Sequence, residues 1–197
     1  MGNLLTYDYE EENVFSGGNE FRQFDVRNTY YKGLGIKYFT HDSIPVAYLY
    51  PDFARDGNAF TLTADQNGEM YINTHQGSND STEADYVWAH FTFNPSFGGE
   101  LHNVYVFGGI SDWQIKPECL LTYNDRDGVY EGDVLVKQGV YDYRYATQDD
   151  AGLIDLYRLE GNHWETSNTY TVYVYYHPYD LDADKLVAVK KVKFNSR

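Results

Sequence analysis

The sequence predicts an all-β protein built from β-sandwiches, and three observations support this. Aromatic residues make up 18% of the 197 residues, with 21 tyrosines and 11 phenylalanines, and such side chains favour the half-buried surface of a sheet. Apolar and polar residues alternate with a period of two along much of the chain, whereas helical periodicity is hard to find. Turn dipeptides separate the alternating segments at strand-like intervals.

The clearest alternation predicts strands over residues 60–64, 86–93, 104–107 and 170–175. Weaker alternation predicts further strands over residues 20–26, 35–40, 46–50, 130–136, 140–145 and 186–192. Chain reversals are expected at Asp56-Gly57, Asn67-Gly68 and Asp127-Gly128, because Asn, Asp and Gly tolerate the positive φ of a hairpin corner. Many short strands joined by such corners are typical of a β-sandwich.

A polar stretch divides the sequence into two expected domains. Gln76–Glu83 contains no apolar residue and lies between two strand patterns, as linkers between domains commonly do. Residues 1–80 are predicted to form a smaller β-rich domain, short enough to be a fragment of a larger one. Residues 83–197 are long enough for a seven-strand immunoglobulin-like β-sandwich.

The chain begins with strand-like alternation over residues 4–9 rather than with a signal peptide. No apolar stretch is long enough for a membrane-spanning helix, so no direct membrane insertion is expected. With 30 acidic and 15 basic residues the net charge is −15. A field of that sign repels phosphate backbones and anionic headgroups, so neither nucleic acid nor an anionic membrane surface is an expected partner.

The charge is divided unevenly along the chain. Every acidic residue precedes Lys185, so residues 1–184 carry 10 minus 30, or −20, and the last 13 residues carry +5. The basic residues of that tail are Lys185, Lys190, Lys191, Lys193 and Arg197. Lysines on a terminal strand are expected to protect the edge of a sheet from pairing with other chains.

No motif in the sequence predicts an enzyme. The six histidines do not pair at metal-binding spacings, and the nucleophile-elbow, phosphate-loop and dinucleotide patterns are all missing. Cys119 is the single cysteine, which excludes an internal disulfide, and it is expected to be buried. The oxygen-rich stretch Asn124–Asp133 is interpreted as a hairpin turn rather than a calcium site. We therefore expect no catalysis, no metal and no cofactor.

One local pattern resembles a sugar-binding fold. A strand at residues 104–107 leads through Gly108-Gly109 to Asp112-Trp113, and a tyrosine-rich strand follows at 139–145. This order is similar to the early-set immunoglobulin-like modules that bind glycogen and starch, in which a tryptophan at this place stacks on glucose rings. Those modules carry a second tryptophan after the tyrosine-rich strand, but residues 146–153 contain no aromatic residue. The resemblance therefore indicates the fold, and a carbohydrate-binding module with Trp113 as its platform is the alternative function.

A more specific resemblance covers most of the chain. Its main part is the stretch NVFSGGNEFRQFD at residues 13–25, followed in order by residues 50–55, 65–72 and 159–176. These segments resemble the plug proteins of the type IX secretion system, a Bacteroidota family once known as a domain of unknown function. Full members of that family are longer at the N-terminus. The signature residues carried over are Gly17, Gly18, Asn19, Glu20, Phe21 and Arg22.

This resemblance implies a periplasmic or outer-membrane-associated protein that occludes the outer-membrane translocon of that system, without enzyme activity. Gly17 and Gly18 are expected at a tight turn. Glu20, Arg22 and Asp25 are expected to form a local charge network that stabilises the fold.

Exposed tyrosines are expected to contact the partner, because they give a large contact area at little entropic cost. The candidates are Tyr173, Tyr175 and Tyr176. Alternation places Tyr173 and Tyr175 on one face of a strand and Tyr170 and Tyr176 on the other, and one of the two faces is expected to be core. The sequence gives no indication of oligomeric state.

Overall fold

A computed structural model describes residues 14–75, 82–95, 101 and 103–195 of the chain. Its helices, within these ranges, are two single turns of 3₁₀-helix, Gly109–Ser111 and Pro117–Cys119. No described helix is long and apolar enough to cross a membrane. The described part of the chain contains thirteen strands: β1 (Arg22–Asp25), β2 (Ile36–His41), β3 (Pro45–Leu49), β4 (Asp52–Phe53), β5 (Met70–Ile72), β6 (Tyr86–Asn94), β7 (Asn103–Phe107), β8 (Leu120–Asn124), β9 (Val129–Lys137), β10 (Gly139–Gln148), β11 (Ile154–Asp155), β12 (Asn168–Tyr176) and β13 (Lys185–Phe194).

Eleven of the strands form one continuous sheet that folds over on itself. The path runs β1-β10-β7-β8-β9-β6-β3-β2, while β4 pairs with β6 and β5 and β11 pair with β10. The first residues of β8 pair with β7 and its last residues pair with β9, so β8 passes from one layer to the other. The layers are thus β1, β10 and β7 on one side and β9, β6, β3 and β2 on the other.

The core lies between these two layers and is rich in aromatic rings. Phe24 of β1 packs edge-on against Phe91 of β6 with ring centroids 5.7 Å apart, and Tyr143 of β10 lies 5.2 Å from Phe91. Strand β6 buries every second residue, which is the alternation that its sequence predicts. The prediction of an all-β sandwich is confirmed.

The described residues do not separate into the domains expected at 1–80 and 83–197. Strands β1 and β5 pair with β10, and β3 and β4 pair with β6. The same core contains Phe24 and Leu49 from the first part and Phe91 and Tyr145 from the second. The physical reason is that the short N-terminal strands cover little apolar surface by themselves and become buried by extending the layers of β6 and β10.

The sandwich is therefore made by residues 22–155 rather than by residues 83–197, and β12 and β13 form a separate two-stranded sheet. Residues 76–81 of the expected linker and the expected strand at residues 4–9 lie outside the described residues.

Most of the predicted strands are confirmed, namely those that correspond to β1, β2, β3, β6, β7, β9, β10, β12 and β13. The prediction of a strand at residues 60–64 is wrong, because no described strand pairs with this segment. Strands β4, β5, β8 and β11 were not predicted: three are only two or three residues long, and β8 begins with two adjacent leucines.

The glycines of the three predicted turns all have positive φ, as expected. Of the three, Asp127-Gly128 joins two paired strands, β8 and β9, so the interpretation of the Asn124–Asp133 stretch as a hairpin turn is confirmed. Cys119 is buried as expected, and burial raises the pKa of its thiol to about 11.

Truncating Phe91 to alanine should lower the free energy of unfolding by about 3–5 kcal/mol, because a buried aromatic contact is replaced by a cavity between the layers. Urea denaturation followed by tryptophan fluorescence measures the loss. The matched control is Leu153→Ala, whose side chain is 71% exposed and should change stability by less than about 0.5 kcal/mol. Equal effects for the two variants would contradict the assignment of this core.

Candidate functional site

Three segments that carry the family resemblance meet around the signature residues. The carbonyl of Gly18 accepts hydrogen bonds from the His163 amide (2.7 Å) and from the Thr166 hydroxyl (2.9 Å). Asn19 donates its side-chain amide to the carbonyl of Glu160 at 2.8 Å. Arg22 reaches Asp52 in the second segment. Residues 18–22 therefore contact parts of the chain that are distant in sequence, around residue 52 and at residues 160–166.

The centre of this region is the carboxylate of Glu160, whose side chain is 1% exposed. It accepts hydrogen bonds from Nε of Arg22 (3.0 Å), Nε of Arg55 (2.7 Å) and the amide of Tyr145 (2.8 Å). A buried carboxylate is tolerated only when it is paired and hydrogen-bonded. These three donors supply that compensation.

Arg22 links Glu160 to a second carboxylate. Its Nη1 lies 2.8 Å from Oδ1 of Asp52, and its Nη2 donates to the carbonyl of Phe53. The hydroxyls of Tyr143 and Tyr145 donate to the other oxygen of Asp52 at 2.7 and 2.8 Å. The network thus connects β1, β4 and β10 with the segment around Glu160.

The expected local network of Glu20, Arg22 and Asp25 is wrong. Arg22 pairs with Asp52 and Glu160, while Asp25 pairs with Arg27 at 2.5 Å. The reason is that residues three apart on a strand project to opposite faces of the sheet, so Arg22 and Asp25 cannot meet.

Burial by itself would raise the pKa of Glu160, but the charges of Arg22 and Arg55 outweigh it and hold that pKa below its usual value. Burial by itself would lower the pKa of Arg22, but the negative charges of Glu160 and Asp52 raise that pKa above its usual value. Burial, with the charge of Asp52, raises the pKa of Tyr143 and Tyr145 far above the ordinary value. Each group therefore keeps one protonation state near neutral pH, as a structural anchor requires.

The two signature glycines are needed for steric reasons. A Cβ on Gly17 would overlap the carbonyl oxygen of His163. Gly18 has a φ of +73°, a conformation that residues with a side chain rarely adopt. At residues 17–18, where the sequence predicts a tight turn, the chain passes close to the backbone of residue 163.

The other half of the signature lines a cleft of about 420 Å³. Trp113, a residue that is 44% exposed, lines this cleft, and its ring packs edge-on against Phe21 with centroids 5.9 Å apart. Asp112 and Trp113 both have positive φ, at 51° and 59°, which is uncommon for residues with a side chain. Trp113 is therefore both a packing residue at the end of a sheet and an accessible aromatic surface.

Charged groups surround that aromatic surface. The guanidinium of Arg144 lies 4.0 Å from the centroid of the Phe21 ring and donates to the carbonyl of Asn19, while its buried Nε has no partner in the described structure. Glu20 and Asp65 also line this cleft, and burial together with the charge of Asp65 raises the pKa of Glu20. One aromatic ring beside carboxylate and amide groups can bind a small polar ligand. No group of three or more His, Cys, Asp or Glu suited to a metal ion occurs in the described part of the chain.

The predicted tyrosines lie elsewhere, on the β12–β13 hairpin. Tyr173, Tyr175 and Tyr176 are 56%, 60% and 52% exposed. The expectation that one face of this strand is core is wrong, because Tyr173 and Tyr176, on opposite faces, are both exposed. Every residue of β13 is exposed as well. Alternation in the sequence gave the strand correctly, but it does not reveal whether a second layer covers either face.

No protein-family model matches the sequence, and no curated protein matches it. Among solved structures, a hypothetical protein from Parabacteroides merdae ATCC 43184 has the same fold, with a TM-score of 0.82 and 29% sequence identity. The alignment covers 90% of this chain and 45% of that protein, so the chain spans less than half of its length. This similarity supports the all-β sandwich and brings no activity or partner with it.

Replacing Glu160 by glutamine should lower the free energy of unfolding by about 3 kcal/mol, because Arg55 would lose its ion pair and the buried Arg22 would keep only Asp52 as a counter-charge. Urea denaturation at pH 7 measures this. The control is Asp133→Asn, which removes the charge of a carboxylate that pairs with His90. The Asp133 side chain is 54% exposed, so this variant should lower the free energy of unfolding by less than about 0.5 kcal/mol. A loss no larger than the control's would show that the network does not stabilise the fold.

The same network predicts a pH dependence. The pKa of Glu160 is lower in the folded chain than its unfolded value of about 4.3. Its contribution to stability is therefore complete above that pH and is lost as the pH falls through the folded pKa. Urea midpoints measured from pH 7 down to pH 3 should decline more steeply for the wild type than for Glu160→Gln. Parallel curves would contradict the assigned pKa direction.

Proposed function

We propose that this protein is a non-catalytic interaction protein of the cell envelope that binds and occludes the outer-membrane translocon of the type IX secretion system. The observation that carries the proposal is the β12–β13 hairpin, which exposes aromatic and aliphatic side chains on both faces. Exposed apolar patches of this kind are typical of surfaces that bind another protein.

The hairpin carries residue types suited to that role. Strand β12 exposes Tyr173, Tyr175 and Tyr176, and β13 exposes Leu186 and Val189. Tyrosines combine a large rigid area with a polar hydroxyl, and a few such anchors supply most of the binding energy of typical interfaces. At the base of the hairpin, the Thr166 hydroxyl donates to the carbonyl of Gly18 and the Ser167 hydroxyl donates to the carbonyl of Asn195, just after β13.

The arrangement of the signature adds support for the family resemblance. Its matching segments, at residues 13–25, 50–55 and 159–176, are separated in sequence but meet through Arg22, Asp52 and Glu160. A resemblance by chance would have no reason to gather in one buried network. The resemblance in turn suggests the translocon as partner and a periplasmic or outer-membrane-associated location.

The charge of the chain favours a basic partner surface. Residues 1–184 carry −20, and a charge of that size speeds the encounter with a positively charged surface such as the rim of a barrel. Exposed charges are screened beyond about 8 Å at physiological ionic strength. Association should therefore slow as salt increases, while the contacts made by tyrosines remain.

A second candidate function is the binding of a carbohydrate in the cleft beside Trp113. The observation in its favour is a half-exposed tryptophan next to Asn67 and the carboxylates of Glu20 and Asp65. Aromatic faces pack on the CH groups of sugar rings, while amides and carboxylates hydrogen-bond their hydroxyls. The stretch at residues 146–153 supplies no second aromatic ring, so we expect no α-glucan to bind there with useful affinity.

Deleting the gene should make the outer membrane permeable to dyes and antibiotics that it normally excludes, and the tagged translocon should co-purify the native protein at low salt. The double variant Tyr173→Ala/Tyr175→Ala should weaken co-purification at least tenfold, as expected for the loss of interface anchors. Tyr30→Ala/Tyr31→Ala is the matched control, because both tyrosines are 75% exposed outside the hairpin. Unchanged permeability together with no co-purification would refute the plug function.

Titration with maltoheptaose by calorimetry should give no binding tighter than about 1 mM, equivalent to roughly −4 kcal/mol, because a single ring cannot form a two-sided sugar platform. The comparison is with Trp113→Ala under the same conditions. Binding stronger than that limit which disappears in Trp113→Ala would favour the carbohydrate-binding function instead.

A further inference from the structure

Residues 60–64 have the alternating sequence of a strand but are not part of one in the described structure. No strand within the described residues pairs with this segment, and its backbone makes no hydrogen bond to another described group. Residues 61–64 are all exposed, so their amides and carbonyls are accessible to water. Free backbone donors and acceptors of this kind are the groups to which an extended chain binds in strand addition.

Three adjacent cavities follow this segment. The first is the cleft beside Trp113. The second has a volume of about 430 Å³ and is lined by residues 62–65 and 167–169, and the third has a volume of about 360 Å³. The first two cavities share Asp65 and the last two share Leu62, so together they form one groove.

The first and third cavities of the groove each expose a tryptophan. Trp164 is 73% exposed and lines the third cavity together with Phe60 and Leu62. Trp113 is 44% exposed and lines the first cavity. An exposed tryptophan beside apolar side chains is a typical anchor for an apolar side chain of a partner.

Two carboxylates line the groove without a cation bound to them. Glu20 and Asp65 line both the first and the second cavity, and neither forms an ion pair within the described residues. Glu20 is only 3% exposed, and its side chain accepts a hydrogen bond from the Ser167 amide at 3.2 Å. Because neighbouring carboxylates repel each other in a partly desolvated site, a positive charge beside this pair is favourable.

The remaining charges around the groove also favour a basic ligand. Glu165 in the third cavity adds a third carboxylate, while Arg144 and Lys193 bring positive charge to the first and second cavities. Arg144 is already held against the ring of Phe21 and the carbonyl of Asn19. Three carboxylates against two basic groups, in a chain of net charge −15, produce a field that attracts a basic peptide.

We propose that this groove binds an extended basic peptide of a partner protein, which adds to residues 60–64 as a strand. A basic side chain of the peptide lies beside Glu20 and Asp65, and an apolar one lies beside Trp164. Main-chain hydrogen bonds supply affinity in this mode of binding, and the pockets for alternate side chains supply specificity. Alternate residues of a strand point the same way, so the basic and the apolar anchor should be two or four positions apart.

The groove is separate from the surface proposed to contact the translocon, because it contains none of the exposed tyrosines of β12. It also differs from a sugar site in its use of the backbone. A carbohydrate in the cleft beside Trp113 would leave residues 60–64 unused, so the two kinds of ligand can be distinguished by experiment.

Selection from a displayed library of random nine-residue peptides tests the proposal on the full chain. Enriched peptides should carry Lys or Arg two or four positions from an apolar residue. The Kd of synthetic, fluorescently labelled copies, measured by anisotropy, should rise at least tenfold in Trp164→Ala and in Glu20→Gln. The matched control is Leu153→Ala, since this side chain is 71% exposed and lies outside the groove, and it should leave the Kd unchanged.

The selection can also refute the proposal. No enrichment above the empty support, enrichment of acidic peptides, or equal binding to the wild type and Trp164→Ala would each overturn it.

Consecutive proline substitutions test the strand pairing itself. Thr63→Pro and Ala64→Pro each remove a backbone donor that has no described partner. Successive amides of a strand point to opposite sides, so only one of the two variants should raise the Kd of a selected peptide at least tenfold. An equal Kd in both variants, whether raised or unchanged, would show that the peptide does not pair with this segment.

Hydrogen exchange measured by NMR on the unmodified chain gives the same information without a proline. A selected peptide should slow the exchange of alternate amides within residues 61–64 at least tenfold, while amides of β6 serve as an internal reference. Unchanged exchange of all four amides at saturating peptide would contradict strand addition.

Discussion

The ion pairs and hydrogen bonds of the buried Glu160 carboxylate position the residues around Gly17–Arg22. Taking a charge out of water is costly, and only simultaneous contacts with Arg22, Arg55 and the Tyr145 amide compensate for it. Because Arg22 also holds Asp52, four parts of the chain must arrive together for any one of these charges to be satisfied. Removing Glu160 would leave Arg55 without its ion pair and Arg22 with Asp52 as its remaining carboxylate, so the network favours one arrangement of the segments over alternatives.

This constraint positions the surfaces available for function. The segment that follows Glu160 is fixed against Gly18 through His163 and Thr166, and β12 begins two residues after Thr166. The cleft beside Trp113 and the base of the β12–β13 hairpin share residues 166–169. A rigid base of this kind presents an exposed aromatic hairpin in a defined direction, which limits the conformational entropy lost when a partner binds.

Local patterns were reliable where a strand is half-buried. In β6 the residues Val87, Ala89, Phe91 and Phe93 alternate with less buried ones, because one face packs on the core and the other does not. The same pattern failed at residues 60–64, where the alternating residues have no strand beside them. Alternation describes which side chains could share a face, whereas a strand also requires a neighbouring edge with free hydrogen-bonding groups, which distant parts of the chain supply.

The sequence by itself determined the all-β class, most of the strands and the Asp127-Gly128 corner, since each depends on residues close together in the chain. Only the tertiary structure decided that Arg22 pairs with Asp52 and Glu160, that the N-terminal strands join the main sandwich, and that both faces of β12 are exposed. The physical reason is the same in each case. The two carboxylates that pair with Arg22 lie 30 and 138 residues away in the chain, and no local pattern specifies which distant group arrives.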